Sequence, residues 1–366
     1  MEYLNTKITA TGSYIPEYRI ENKSYFENTF FEKDHSLITS SGEEIVAKFR
    51  DITGIVERRW VKGQQTASEI ATGAALKAIE SAEIDRETID HIIVATNFGD
   101  VIEGTIQTDF LPSLAARVKH NLKIKNPGCV AYDLVFGCPG WVQGVIHADS
   151  FIKTGLAERV LVIGAETLSR VVDIYDRDTM IFSDGAGAAV VEGVKANKKS
   201  GVLSSATVTD AKDEAYYLYL GQSNKPESDP NVRYIKMHGR KIYEYSLSNV
   251  PKAMKAALDK SGVSIDKVKK VVLHQANEKM DEAIVLRFFK QYGIRPDVKE
   301  VMPMNIQQLG NSSVATIPTL YDMILKNDLK KHAINSGDVI IFASVGAGMS
   351  INAIVPIVTL SCIDVY

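Results

Sequence analysis

The residues DLVFGCPG, at positions 133–140, carry the clearest structural signal in this chain. They predict the end of a buried strand, a tight turn at Gly137 and a helix that begins next to Cys138. Glycine permits a strained turn, and proline suits the first turn of a helix. The apolar spacing of residues 141–152 continues that helix. The pattern therefore places one thiol at the positive end of a helix, where a thiolate is favoured.

A similar pattern occurs again in the second half of the chain. Residues 75–94 and 254–273 each read as a helix, a short polar linker and an apolar strand. On this alignment His274 directly follows the second of these strands. The pair Gly310–Asn311 takes the place that the glycine–cysteine pair holds in the first half. Self-similarity at half the chain length predicts a duplicated structure.

Strands alternate with helices along both halves, and the strands are continuous apolar runs. That pattern is typical of α/β layers whose sheets are covered on both faces. We expect two α/β halves, residues 1–196 and 197–366, packed face to face. Ligands of such sheets bind outside the carboxyl ends of the strands, so Cys138, His274 and Asn311 are predicted to meet there.

Each of these three residues also has a simpler interpretation. A lone cysteine is usually a small buried hydrophobic side chain, and a histidine at a strand end can be a core residue. An asparagine before a helix is an ordinary N-cap. The equivalent positions of the three residues in two matched halves favour a functional interpretation instead.

Composition argues against several classes of function. The chain has 366 residues, of which 45% are hydrophobic and 24% charged, and its net charge is −3 at pH 7. These values are typical of a soluble globular protein and do not favour a nucleic-acid partner. We find no secretion signal pattern and no apolar run of about 18 residues, so we expect a cytoplasmic protein without a membrane partner. The three cysteines lack the close spacing of a metal site.

Further motifs give the chain a family resemblance. It resembles the β-ketoacyl-acyl carrier protein synthase III group of the thiolase superfamily over almost its whole length. The motifs are TGSYIP at 11–16, TGI at 53–55, GCPG at 137–140, GAE at 164–166, FSDGAGA at 182–188, HQAN at 274–277 and GNSSVATIP at 310–318. The resemblance implies an α/β protein with a duplicated five-layer αβαβα thiolase-like fold, and it implies a homodimer.

The resemblance also implies an acyltransferase of class EC 2.3.1 that performs a decarboxylative Claisen condensation in fatty-acid or related lipid or polyketide biosynthesis. Cys138 would take an acyl group from a primer thioester. His274 and Asn311 would hold a malonyl thioester carried by acyl carrier protein. Backbone N–H groups of Cys138, Ala347 and Gly348 would form the oxyanion hole. The product is a β-ketoacyl thioester, and no metal or redox cofactor is expected, because the substrates arrive on coenzyme A or phosphopantetheine.

Five further positions are assigned to substrate and partner through the resemblance. Arg177 matches an arginine that the family uses against the adenine of coenzyme A, Asn277 would bind substrate, and Phe136 would change the floor of the acyl pocket. Leu111 stands where a phenylalanine of the partner subunit often caps the tunnel. Lys279 matches a basic position that the family uses to dock acyl carrier protein.

The chain departs from the family pattern at the coenzyme A clamp. Lys48 and Ile52 stand where acyl-CoA-primed members carry a tryptophan and an arginine. Half of that clamp is therefore missing, and both acyl-CoA and acyl-acyl carrier protein stay open as primers. We hypothesise a primer longer than acetyl.

Other functions use related residues. A papain-like protease also uses cysteine, histidine and asparagine, but its local signature around the cysteine is absent. A specialised thiolase-superfamily reaction, such as resorcinol formation, head-to-head acyl joining or acyl transfer, shares all three residues and is the alternative. An inactive chain-length subunit usually loses the nucleophile, whereas Cys138 is present. A degradative thiolase needs a second cysteine near residues 346–348, and Cys362 lies too far along the chain.

Overall fold

The computed structural model describes residues 2–359, so Cys362 lies outside the described residues. The first part of the chain contains, in order, β1 (Tyr3–Tyr14), β2 (Tyr18–Glu21), α1 (Gly42–Thr53), β3 (Glu57–Trp60), α2 (Ala67–Ala82), β4 (His91–Ala95), α3 (Leu114–Asn121), β5 (Val130–Leu134), α4 (Gly140–Thr154), β6 (Arg159–Thr167) and β7 (Asp184–Ala196). The second part contains β8 (Gly201–Thr209), β9 (Leu218–Gly221), β10 (Tyr234–Met237), α5 (Gly239–Ser261), β11 (Val268–Leu273), α6 (Glu278–Lys290), α7 (Val298–Val301), α8 (Ile306–Leu309), α9 (Thr316–Leu325), β12 (Val339–Gly346) and β13 (Ser350–Ile357).

Two main sheets carry the fold. The first has the strand order β1-β7-β6-β4-β5, and the second has the order β11-β12-β13-β8. β4 runs parallel to both β5 and β6, so Ala95 at its end lies level with Leu134 and Gly164. β11 runs parallel to β12 in the second sheet. The carboxyl ends of the parallel strands therefore form one edge in each half, which is where the turns at 137–138 and 274–277 begin.

Helices and sheets alternate as five layers. α2 and α3 cover the outer face of the first sheet, and α5 and α6 cover the outer face of the second. α4 and α9 share the hydrophobic core that lies between the two sheets. Aromatic contacts join the halves there, because Phe342 of β12 packs edge-on against Trp141 of α4 at 5.7 Å and Tyr321 of α9 at 4.9 Å. The predicted five-layer αβαβα thiolase-like fold is confirmed.

A buried carboxylate also links the two halves. Asp322 of α9 accepts hydrogen bonds from Thr11 at 2.8 Å and from Ser13 at 2.6 Å, both on β1. Its burial makes these bonds costly to lose, since a charged group left without partners pays its full desolvation cost. The contact fixes the position of α9 against the first sheet.

Two connections lie near the carboxyl ends of the parallel strands. The long connection at residues 97–113 is held by Arg117, which pairs with Asp100 at 2.6 Å and with Asp109 at 2.8 Å. Residues 222–233 join β9 to β10, which pair as an antiparallel ribbon.

Within residues 2–359, no helix combines the length and the apolar character that crossing a bilayer requires.

Candidate active site

The predicted strand–turn–helix at the cysteine is present. β5 ends at Leu134, α4 begins at Gly140, and Gly137 between them adopts a left-handed φ of +68°. A Cβ atom on Gly137 would also lie 2.8 Å from the backbone nitrogen of Ala347. Glycine is needed here both for its backbone conformation and for this close approach. The Cys138 side chain is half-buried and lines a cavity of about 970 Å³.

Cys138, His274 and Asn311 meet around one residue, Ser313, in that cavity. The Ser313 hydroxyl donates to the Cys138 sulfur at 3.3 Å, and the Ser313 backbone N–H donates to Oδ1 of Asn311 at 2.7 Å. The His274 imidazole also contacts the Ser313 backbone. Ser313 itself holds a left-handed φ of +52°, which is unusual for a residue other than glycine. The structure thus brings the three sequence-predicted residues together.

Local hydrogen bonds position the histidine and the asparagine. Gln275, which follows His274, binds the backbone of residues 303–306 through three side-chain hydrogen bonds of 2.9–3.0 Å. That segment leads through α8 to Asn311. The backbone N–H of Asn311 donates to the Ile181 carbonyl at 2.9 Å, which ties it to the first half. Both side chains are therefore set by the junction of the halves.

The hydrogen-bonding character of Asn311 and His274 follows from their surroundings. Because Oδ1 of Asn311 already accepts the Ser313 N–H, its amide nitrogen is left to donate. Burial lowers the pKa of His274 to about 4, against an opposing effect of the Ser313 backbone. At neutral pH the imidazole is therefore uncharged and can donate through one nitrogen. The Asn311 amide is thus a neutral donor for a carbonyl oxygen, and the single imidazole N–H of His274 can join it by exchanging the Ser313 backbone for the substrate oxygen.

The electrostatics of Cys138 differ from the prediction of a favoured thiolate. Burial raises the pKa of this thiol to about 11, and the hydrogen bond from Ser313 opposes the shift. A negative charge on nearby Glu166 would raise it further. Desolvation disfavours the charged form more than the helix terminus favours it, so the resting side chain at neutral pH is the thiol.

The predicted oxyanion hole is placed in part. Gly346 packs directly on the nucleophile, since a Cβ atom there would lie 2.4 Å from the backbone nitrogen of Cys138. Ala347 lines the cavity beside it. Gly348 does not line the cavity, and its φ of +73° turns the chain towards β13. The structure therefore brings Cys138 and Ala347 together and leaves Gly348 outside, because only the first part of this turn faces the thiol.

Three of the predicted substrate residues line the cavity. Phe136, Arg177 and Asn277 all belong to its wall. The Arg177 guanidinium pairs with Glu32 at 3.0 Å, and Oδ1 of Asn277 caps α6 by accepting the N–H of Met280 at 3.0 Å. Arg177 and Asn277 therefore already have protein partners.

The other two predicted residues lie outside the cavity of this chain. Leu111 is 88% exposed. Lys279 is exposed in the first turn of α6.

Sequence reasoning missed three residues around the thiol. Ser313 and Glu166 belong to the motifs GNSSVATIP and GAE but were given no role, and Asn97 was given none either. Asn97 donates to the Ser313 hydroxyl at 3.1 Å and to Glu166 at 2.7 Å. Glu166 is wholly buried. The one signal in the sequence was an acidic residue at the end of the apolar strand β6.

A single cavity built by two matched α/β halves, with the nucleophile from one and the donors from the other, is how thiolase-fold condensing enzymes are organised. Family models agree with this class. The model of 3-oxoacyl-[acyl-carrier-protein (ACP)] synthase III matches residues 132–211, and that of its C-terminal part matches residues 258–356.

Relatives of known name cover nearly the whole chain. The β-ketoacyl-[acyl-carrier-protein] synthase III of Aquifex aeolicus is 34% identical over 96% of this chain and 99% of its own length. The corresponding protein of Fusobacterium nucleatum is 32% identical over 94% of this chain and 95% of its own. A crystal structure of the Aquifex aeolicus enzyme superposes with a TM-score of 0.78, covering 96% of this chain and 100% of that one at 33% identity. The chain belongs to the β-ketoacyl-[acyl-carrier-protein] synthase III family.

Proposed function

We propose that this protein condenses an acyl primer with malonyl-acyl carrier protein, releasing carbon dioxide and forming a β-ketoacyl thioester. The observation that carries the proposal is the meeting of Cys138, His274 and Asn311 around Ser313 in one cavity. The proposed setting is cytoplasmic fatty-acid biosynthesis.

In the first step the Cys138 sulfur attacks the carbonyl carbon of the primer thioester. The oxygen of the tetrahedral intermediate is stabilised by the backbone N–H groups of Cys138 and Ala347. The carrier thiol leaves with the proton that the cysteine loses, and an acyl-cysteine results.

In the second step the malonyl thioester binds with its carbonyl oxygen at His274 and Asn311. The carbon–carbon bond to the carboxylate breaks, carbon dioxide leaves, and the electron pair becomes an enolate that the two donors stabilise. The enolate carbon attacks the acyl-cysteine and expels the sulfur. We expect no metal or redox cofactor, because no step needs an outside oxidant or reductant and the two hydrogen-bond donors stabilise the enolate.

Mass spectrometry of the purified protein after exposure to acyl-CoA and acyl-acyl carrier protein tests the first step. We expect one acyl group per chain, located on Cys138 by peptide mapping. Acylation at another residue, or no acylation with any donor, would contradict the proposal.

The walls of the cavity support a primer longer than acetyl. Lys48 and Ile52 line the cavity where acyl-CoA-primed relatives carry the aromatic and basic residues of the clamp. Arg177 is engaged by Glu32 and would have to leave this partner to contact an adenine ring. The β9–β10 ribbon adds apolar side chains, namely Leu218, Leu220, Ile235 and Met237.

We expect kcat/KM to rise with the length of the acyl primer until the cavity is filled. Burial of each methylene contributes about 0.8 kcal/mol, which corresponds to a factor of about four in kcat/KM. Steady-state kinetics with acyl donors of about two to twelve carbons, on both carriers, provide the measurement. A strict preference for acetyl-CoA would show that the hypothesis of a primer longer than acetyl is wrong.

Lys279 is expected to assist docking of acyl carrier protein, which is acidic. Charge reversal in Lys279→Glu should lower kcat/KM for acyl carrier protein substrates severalfold and leave acyl-CoA turnover much less affected, because charges at an interface rim mainly steer association. Lys267→Glu is the matched control. Lys267 is an exposed lysine that precedes the first residue of β11, whereas Lys279 lies beyond the last residue of that strand. If Lys279→Glu lowered kcat/KM equally for acyl carrier protein and acyl-CoA substrates, Lys279 would have no specific role in docking the carrier protein.

A homodimer is proposed from exposed apolar side chains on the edge strand β5, just after it and in the connection before α3. Val130 is 50% exposed, Val135 is 64% exposed, and Leu111 is also exposed. An unpaired strand edge is a ready template for pairing with a second copy. Light scattering in solution tests this proposal.

A further inference from the structure

A chain of hydrogen bonds leads from a buried carboxyl group to the nucleophile. Asn97 donates to Oε1 of Glu166 twice, from its backbone N–H at 2.6 Å and from its amide nitrogen at 2.7 Å. The same amide nitrogen donates to the Ser313 hydroxyl at 3.1 Å, and that hydroxyl donates to the Cys138 sulfur at 3.3 Å.

The direction of these bonds is fixed by the atoms available. An amide nitrogen has two hydrogens, and Asn97 gives one to Glu166 and one to Ser313. The Ser313 oxygen therefore acts as an acceptor towards Asn97, and its single hydrogen is directed at the sulfur. A donor aimed at the sulfur stabilises a thiolate more than a thiol, because hydrogen bonds to charged groups are the stronger ones.

We propose that Ser313 is a catalytic residue that stabilises the Cys138 thiolate, and that Asn97 and Glu166 are positioning residues that aim its hydroxyl. The inference rests on the proposed function in taking Cys138 as the nucleophile. It adds a fourth side chain that touches the reacting sulfur.

The charge of Glu166 is part of this arrangement. Burial is the main cause that raises the pKa of Glu166 to about 8; the hydrogen bonds from Asn97 oppose the shift, and the buried carboxyl Asp184 on the neighbouring strand β7 acts in the same direction as burial. At neutral pH Glu166 is therefore protonated, and it holds Asn97 without placing a negative charge near the sulfur. Its other oxygen, Oε2, is buried with no hydrogen-bond partner among the described residues, so a negative charge on that oxygen would be uncompensated. Glutamine has the same shape as this neutral acid.

The test measures the rate at which iodoacetamide alkylates Cys138 as a function of pH, which needs no acyl substrate. Ser313→Ala should raise the apparent pKa of the thiol by about one unit and slow alkylation below about pH 9 about tenfold. Ser313→Gly should behave in the same way, and glycine also adopts the left-handed backbone without strain. Agreement between the two variants would therefore show that the effect comes from the lost hydroxyl and not from a change in backbone strain. Ser150→Ala, an exposed serine on α4, is the matched control and should follow the wild type.

Glu166→Gln should change alkylation in the opposite direction. Above about pH 8 the wild-type carboxyl is ionised and raises the pKa of Cys138, whereas glutamine carries no charge, so the variant should react severalfold faster there. A role limited to folding would not move the two variants in opposite directions. The proposal would be overturned if both Ser313 variants were alkylated with the same pH dependence as the wild type. It would also be overturned if Glu166→Gln were alkylated more slowly than the wild type above about pH 8. If wild-type Cys138 takes no acyl group from any donor, the proposed function fails, while the alkylation profiles still decide the role of Ser313.

Discussion

Replacing Cys138 by alanine is expected to abolish acyl-enzyme formation and to lower condensation at least about a thousandfold, because the covalent route is lost. The cavity, His274 and Asn311 remain, since the substitution removes only the sulfur of Cys138. Slow decarboxylation of malonyl-acyl carrier protein should therefore persist at His274 and Asn311. Intact-protein mass spectrometry and carbon dioxide release measure the two steps separately.

Cys129→Ala is the control for this variant. Cys129 is buried in the core beneath the first sheet and belongs to no part of the cavity wall. The Cys129→Ala variant should still form the acyl adduct and should keep its condensation activity. Acylation that survives in Cys138→Ala would mean that another residue is the nucleophile.

The second large effect is expected at Asn311. Asn311→Asp keeps Oδ1, which accepts the Ser313 N–H at 2.7 Å, and it replaces the amide donor by an oxygen. Acylation of Cys138 should remain within a few-fold of the wild type, whereas condensation should fall about a hundred- to a thousandfold, as for loss of one oxyanion donor. Single-turnover assays that begin from the isolated acyl-enzyme measure the second step alone.

A matched substitution on the surface shows whether this effect is specific. Asn335→Asp makes the same chemical change at an exposed turn before β12 and should leave both steps intact. If Asn311→Asp condensed at the wild-type rate, the amide could not be the group that holds the malonyl carbonyl.

The parts of the molecule that follow from local pattern were predictable. A glycine turn between an apolar strand and an amphipathic helix is set by neighbouring residues, so Gly137 and Cys138 could be placed from the sequence. The repeat then located His274 and Asn311, because duplicated halves put equivalent strand ends at equivalent edges. The family resemblance extended this to the five layers.

What could not be predicted depends on contacts between distant parts of the chain. The link from Asn97 to Ser313 joins residues that are 216 positions apart, and the pair of Arg177 and Glu32 joins residues 145 positions apart. The raised pKa of Cys138 arises from burial by both halves, which no local pattern contains. Only a structure reports which side chains converge.

The order of the two halves along the chain matters during synthesis. A ribosome releases the first half, with Cys138, well before it makes Ser313 and Asn311. Until the later half docks, the thiol lacks the hydroxyl, the imidazole and the carboxamide that surround it in the finished protein. A nascent or truncated chain therefore carries an unassisted cysteine, and the ability to join carbon chains arises only after Ser313 and Asn311 have been made.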